Sequence, residues 1–562
     1  MIQRLVSARI ALFALALATA LNAAAWGQVG AEVQPAQVDA LFAAWNNPGS
    51  PGCAIGVMSQ GKLVYAQGYG LADVEHGTPL SPDTVFDIAS MTKQFTGAAI
   101  GLLTLEERVA LTDDVRARFP ELPIDLPVTI DDLLHHTSGL RDYAELNQLR
   151  GMEATDNDRV LTLLARQKSL NFTPGSESAY SNSNYVVLAE LVQRTTGKSL
   201  AALAQERIFS PLKMASTRYA GRVQDDPTNL ANSYVPVAPG QFAPMTRASQ
   251  SVGDGNLLTT VRDLALWDEN FYTNHVGGEA LTRMMRTSAT LTNGQKIPYG
   301  FGLMFGGYRG LPTEAHGGSY HGFRTELLRF PQQHFSVAVL CNVASANASA
   351  LAAQVADLYL ADVLQPLPQA EAEPVEVKID PHVFDVYAGE YAVDNNGQPV
   401  VMTFGRQGER FFLQPPGQPP VEIFPTSETE FFIKVAPGRI AFQREADGKV
   451  NRVVLHRSQG DLIGQRIVAV ATSAQSLSDF AGVYYAEELD GELRLAVLDA
   501  RLFVSNSSGS RTPLAQRSEQ SFALPGGAAF EFARGADGQI GGFVYSSSRV
   551  RGLKFMRRTQ FE

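Results

Sequence analysis

The chain has 562 residues, of which 45% are hydrophobic and 18% charged, with a formal net charge of −11. That length exceeds one average core several times over and predicts two to four domains of ordinary globular composition. The acidic balance, with no Lys/Arg run longer than a pair, argues against a nucleic-acid partner and otherwise bears only on solubility.

Arg4 and Arg9 precede an apolar run from Ile10 to Leu21 and then Asn22-Ala23-Ala24-Ala25, which is the layout of a secretory signal peptide over residues 1–25. About a dozen apolar residues are too few for a comfortable membrane span, an uncleaved anchor being the alternative. The mature chain is therefore expected to be secreted or periplasmic, with no integral membrane span after cleavage. Further on, Ala54-Ile55-Gly56-Val57 and Leu63-Val64-Tyr65 flank Gly61 as a predicted hairpin. The two cysteines, Cys53 and Cys341, lie in strand-like apolar runs. An exported setting permits a disulfide, but two buried thiols acting as small hydrophobes are the commoner arrangement, and the pairing stays open.

Ser-x-x-Lys occurs three times: Ser59-Gln60-Gly61-Lys62, Ser90-Met91-Thr92-Lys93 and Ser210-Pro211-Leu212-Lys213. The first falls in the hairpin turn, and in the third Pro211 punctuates the end of a helix. Only the second is followed by apolar residues at helical steps: Phe95, Ala98, Ala99, Leu102 and Leu103. A serine and a lysine one turn apart at a helix start then share a face, and unpaired backbone N–H groups there favour the oxyanion of acyl transfer. Taken alone the pattern is also that of an N-cap serine.

Phe172-Thr173-Pro174-Gly175 leads to Tyr180-Ser181-Asn182, followed by Tyr185, Leu188, Ala189 and Val192 at helical spacing, so the triplet is placed in a loop just before a helix. A tyrosine beside a cation such as Lys93 can act as a base, and an asparagine amide can orient a peptide group. A surface turn tyrosine with an Asx cap is the bland alternative. His316-Gly317-Gly318-Ser319 precedes the strand-like run Glu326 to Phe330, and paired glycines on a strand let a ligand or another backbone approach closely.

Strands at both ends with a helical middle predict an α+β domain over residues 33–364, with one antiparallel sheet and helices on both faces. Pro366, Pro368 and Pro374 with Glu371 and Glu373 mark a linker over residues 365–378. The remainder repeats itself. Phe384 to Tyr391 is echoed by Leu477 to Tyr484 at an offset of 93, and Phe442 to Val450 by Phe532 to Ile540 at an offset of 90, with Asp-Gly hairpin pairs in register. Two small antiparallel β-barrel or sandwich domains, residues 379–470 and 475–562, are expected. Neither copy contains a catalytic cluster, so their role is read as structural or substrate-gating.

Ser90-Met91-Thr92-Lys93, Tyr180-Ser181-Asn182 and His316-Gly317-Gly318-Ser319, in that order and spacing, resemble the class C β-lactamase and penicillin-recognising serine peptidase superfamily. Phe86 to Thr96, Leu133 to Leu140 and Tyr299 to Leu303 are similar to it as well. The resemblance implies that Ser90 is the acylated nucleophile, that Lys93 and Tyr180 share the proton work, and that Asn182 contacts the substrate amide. It further implies that the N–H groups of Ser90 and Ser319 form the oxyanion hole, with His316 and Gly318 lining the strand side. The β-lactamase branch usually carries lysine where this chain has His316, which weakens the pull on a substrate carboxylate and puts penicillin hydrolysis in doubt. A catalytic domain with two β-domains resembles the D-aminopeptidase layout, in which a loop from a β-domain helps shape the cleft.

The expectation is an exported serine hydrolase acting on D-amino-acid peptides or peptidoglycan-related amides, without metal or organic cofactor. A carboxylesterase or weak β-lactamase is the rival within the superfamily, and a penicillin-binding or scaffold protein with little turnover is the rival of another class. Small peptides, amides or esters are the expected partners. Oligomeric state is not legible in the sequence.

Overall fold

The computed structural model describes residues 33–558 except 48, 124, 153–154, 222–225, 248–249, 367–373, 396–397, 416–419, 435–437, 446–447, 457–460, 468–476 and 525–526. The leader, half of the Pro/Glu-rich linker (367–373) and the Asp447 hairpin position lie outside the described residues. Among the described residues no helix is long and apolar enough to cross a membrane.

Cys53–Ser59 and Lys62–Tyr69 form the predicted hairpin, with Gln60 and Gly61 at positive φ in its turn. They join four later strands in one antiparallel sheet ordered Met304–Tyr308, Leu311–Tyr320, Phe323–Phe330, Phe335–Cys341, Cys53–Ser59, Lys62–Tyr69. N- and C-terminal segments of the domain therefore share one sheet. Successive side chains of a strand face opposite ways. Cys53, Ile55 and Val57 pack with Val38, Leu351 and Val355 on one face, whereas Ala54 and Met58 pack with Phe95, Val261 and Trp267 on the other. Helices cover both faces, which is why Cys53–Met58 is a continuous apolar run rather than an alternating one.

The cysteines are not free thiols. Cys53 and Cys341 are register partners on adjacent strands and form a disulfide. The sequence separation of 288 hides a pairing that the sheet makes direct. Pro211 also differs from expectation. It does not end a helix but sits inside the last turn, Ser210–Leu212, which continues Leu200–Ala204 through a π-helical segment; Lys213 in the left-handed region closes it.

The two C-terminal repeats are closed eight-stranded antiparallel barrels, the first from Gly389–Asn395 to Leu462–Ile467 and the second from Gly482–Ala486 to Leu553–Arg557. Their duplication extends to individual hydrogen bonds. Tyr391 donates to the Tyr387 carbonyl at 3.0 Å, and Tyr484 to that of Phe480 at 2.9 Å. Arg466 donates to Val386, Ala388 and Val450, and Arg557 to the corresponding Asp479, Ala481 and Ile540. Aromatic rings fill both interiors, as Phe384, Tyr387, Phe431 and Phe442 do in the first and Phe480, Phe522, Phe532 and Phe543 in the second. The first barrel keeps a core of its own, while the second shares one continuous core with the helical part of the catalytic domain.

Candidate active site

Ser90 lies on a 3-10 turn, Ala89–Thr92, that runs directly into the helix Lys93–Leu105, whose apolar face is buried as its spacing requires. Ala89 takes φ +48 to make the turn, and its N–H donates to the buried Asp87 carboxylate at 2.8 Å. Lys93 is fully buried. Its Nζ donates to Ser90 Oγ at 3.2 Å, Asn182 Oδ1 at 2.9 Å and the Asp254 carbonyl at 2.8 Å. Those three bonds use every donor an ammonium has.

Tyr180 precedes the helix Asn182–Thr196, and its ring centre is 4.9 Å from Lys93 Nζ. Its ring packs against that of His136, 4.4 Å between centroids, with the planes tilted by 37°. The His136 Nδ1 accepts from Ser181 N–H and from Asn184 Nδ2, and burial, with the nearby Lys93 next in weight, keeps this imidazole neutral well below the usual histidine range.

The third segment lies on the strand Leu311–Tyr320. A Cβ on Gly318 would stand 2.2 Å from the Ile88 carbonyl oxygen and 3.1 Å from the Ala89 Cβ, so only glycine lets this strand reach the turn that carries Ser90. Thr325 Oγ1, on the neighbouring strand, donates to the same Ile88 oxygen at 3.0 Å. His316 is buried. Its Nδ1–H donates to the Gly317 carbonyl at 2.7 Å and its Nε2 accepts from Tyr299 OH at 3.1 Å. Burial first, and Lys93 second, hold its pKa down at about 3. A neutral, buried ring cannot serve as the cation that a lysine would supply there.

Of the predicted residues, Ser90, Asn182 and Ser319 line a cleft of about 1500 Å³. Lys93 and His316 are packed behind its wall. Three further groups complete the arrangement. The buried Asp142 caps the helix Tyr143–Arg150 and accepts from Asn182 Nδ2 at 3.1 Å, fixing the amide whose oxygen holds Lys93. Asp254 accepts from Tyr143 OH at 2.8 Å; burial raises its pKa, against the smaller opposing pull of Lys93. Arg549 comes from the second barrel: its Nη1 donates to Asp142 Oδ2 at 3.1 Å and its guanidinium lies 5.3 Å from the Tyr180 ring centre.

The loop carrying Arg549 joins Ile540–Ser546 to Leu553–Arg557 and is stitched to the catalytic domain. Asn171 Nδ2 donates to the Arg549 carbonyl and its Oδ1 accepts from Arg551 N–H, both at 2.8 Å. Arg141 donates to the Arg551 carbonyl through Nε and Nη2. The sequence motifs place no residue of the β-domains in the site. A signal for this loop does exist: the repeat offset is 90 from Val450 to Ile540 but 91 from Arg466 to Arg557, so the second copy has gained a residue in this turn.

Ser90, bonded to a buried lysine beside a tyrosine and a glycine-bearing strand, gives this site the residue set of a serine hydrolase. The Beta-lactamase family model matches residues 38–361, and the chain belongs to that family. It is 32% identical over 314 residues to a D-aminopeptidase of Gluconobacter oxydans, a match covering 55% of this chain and 59% of that one. To a D-aminopeptidase of Brucella melitensis biotype 1 it is 27% identical over 454 residues, covering 79% and 81%. Among solved structures, the octameric penicillin-binding protein homologue from Pyrococcus abyssi superposes with a TM-score of 0.55 at 23% identity, over 76% of this chain and 98% of that one, a likeness of fold.

Proposed function

We propose that the protein is an exported hydrolase that works through an acyl-enzyme on Ser90 and acts on D-amino-acid peptides or related amides. The observation that carries this is Lys93 Nζ bonded at once to Ser90 Oγ and to Asn182 Oδ1. In this mechanism Ser90 attacks the substrate carbonyl and passes its proton to the Lys93–Tyr180 pair. The N–H groups of Ser90 and Ser319 receive the oxyanion, each donor contributing on the order of a hundred-fold in rate. Asn182 presents its amide to the substrate; the pair hands the proton to the leaving amine as the amide C–N bond breaks, and water then hydrolyses the Ser90 ester and restores the serine hydroxyl. The D-aminopeptidase relatives support the substrate class, and the Cys53–Cys341 disulfide suits an oxidising compartment outside the cytoplasm.

Labelling by a fluorophosphonate probe tests the nucleophile: the wild type should react and Ser90→Ala should not, and an unreactive wild type sinks the reading. Parallel rates on a D-alanine anilide, a D-Ala-D-Ala peptide, a short-chain nitrophenyl ester and a chromogenic cephalosporin test the substrate. The cephalosporin should be slowest, because the strand side of the cleft, with its buried neutral His316, holds no cation for the carboxylate of a bicyclic β-lactam.

A further inference from the structure

Three arginines and two carboxyl side chains line the cleft of a chain whose net charge is −11. Arg517, Arg549 and Arg551, all from the second barrel, face Glu145 and Asp254. Burial raises the pKa of both carboxyls, favouring their neutral forms, and Tyr545 OH donates to Glu145 at 2.6 Å. Arg551 is already paired with Glu177 at 3.0 Å. Arg549 is 40% exposed and spends only Nη1, on Asp142, among the described residues. Its position is set by short steps: the guanidinium lies 5.3 Å from the Tyr180 ring centre, that centre 4.9 Å from Lys93 Nζ, and Nζ 3.2 Å from Ser90 Oγ. Lys93 is buried and fully engaged, and His316 is neutral. The strand side of the cleft, where a substrate carboxylate would otherwise find a cation, therefore supplies none.

We propose that Arg549 is a specificity-determining residue that binds a substrate carboxylate, so that the preferred substrate is an N-acylated D-peptide with a free C-terminal carboxylate rather than a peptide with a free N-terminal ammonium. This rests on the hydrolase reading above and narrows it. The free Nε and Nη2 edge of the guanidinium matches a carboxylate in bidentate geometry. An ammonium would meet like charge at the same place. The backbone bonds of the loop to Asn171 and Arg141 hold the guanidinium ready, so little ordering is lost on binding.

The test compares N-acetyl-D-alanyl-D-alanine with its C-terminal amide and with D-alanyl p-nitroanilide, in the full-length wild type, Arg549→Gln and Arg549→Lys. The wild type should favour the carboxylate over its amide by about tenfold or more in kcat/KM, mainly through KM, as a charge-assisted hydrogen bond implies. Arg549→Gln should bring that ratio to within about threefold of unity, and Arg549→Lys should keep part of it, because charge survives but bidentate geometry does not. An unchanged ratio in Arg549→Gln, or a wild type that prefers the anilide, overturns the proposal. Loss of fluorophosphonate labelling in both variants also overturns it, since Arg549 would then only position Tyr180 and Asp142. A wild type that labels and cleaves a nitrophenyl ester without preferring the carboxylate defeats this inference alone, whereas one that neither labels nor turns over any substrate defeats the hydrolase reading beneath it.

Discussion

The Arg141 guanidinium of the catalytic domain donates to the Glu488 carboxylate of the second barrel over 2.7 Å, and both residues are buried. Glu488 also accepts from the Lys168 N–H at 2.6 Å, and its carbonyl from Gln167 Nε2 at 2.8 Å. Removing one partner of a buried pair leaves the other charge uncompensated, which costs about 3–5 kcal/mol. Glu488→Gln should therefore lower the urea midpoint of the catalytic domain and second barrel together, because the two share one core. Unfolding followed by tryptophan fluorescence reports the catalytic side, since Trp267 is buried in that core. A transition in which the barrel melts separately, with the Trp267 signal unmoved, would contradict a shared unit.

Gly318 carries a different kind of constraint, one of space. Its absent Cβ is what admits the Ile88 carbonyl and Ala89 to the strand, bringing Ser319 beside Ser90. Gly318→Ala should push the strand from the Ser90 turn by about an ångström and lower kcat by about a hundred-fold, as misplacement of that size does. The fold should persist, because the strand keeps its pairing along Glu314 to Tyr320 with Arg329 to Phe323. Pre-steady-state acylation rates against circular dichroism check this. A variant acylating at the wild-type rate would show that the close approach is not required.

Segments with a local period or a short motif are legible in the amino-acid sequence by themselves. The helix after Ser90 declares itself through Phe95, Ala98 and Leu102, and the barrels through their repeat. The close approach at Gly317-Gly318 is legible because paired glycines on a strand have few other meanings. Asp142, Asp254 and Arg549 are not legible, since each is an isolated polar residue whose role exists only once distant segments meet. Arg549 reaches Asp142 across 407 positions of chain. The pairing of Cys53 with Cys341 stays open in the sequence for the same reason, since it depends on which strands become neighbours. Only the slipped repeat offset around Arg549 points to its loop.

The disulfide gives a prediction of its own. Cys53–Cys341 ties the first strand of the catalytic sheet to the strand that closes it, bridging 288 positions. Removing a native cross-link over a long loop typically costs about 2–4 kcal/mol. Cys53→Ser with Cys341→Ser, or treatment with dithiothreitol, should lower Tm by several degrees while fluorophosphonate labelling of Ser90 persists at moderate temperature. The bond lies among apolar residues of the face that packs against Ala348–Tyr359, away from Lys93. Loss of labelling in the folded double variant would place the disulfide in the catalytic architecture instead.

His316 makes the stability of the fold depend on pH in a definite direction. Burial lowers its pKa from 6.5 to about 3, so the folded state holds it neutral while the unfolded chain protonates it below about 6.5. Over that interval the unfolded state binds more protons, and stability must fall as pH falls. The contribution is whole above pH 6.5 and is lost progressively toward pH 3. By about pH 4.5 the loss is roughly 2–3 kcal/mol. His136 adds to it with the same sign, while the raised Asp254 works the other way, gaining stability on acidification. Total acid sensitivity is therefore not diagnostic, and the difference between wild type and His316→Gln is. That variant should lose less stability between about pH 7.5 and pH 4.5, measured by urea unfolding at each pH. An equal loss in both proteins would mean that His316 is not held neutral in the fold. The lack of cationic charge on the strand side, and with it the need for Arg549 to bind a carboxylate, would then have to be reconsidered.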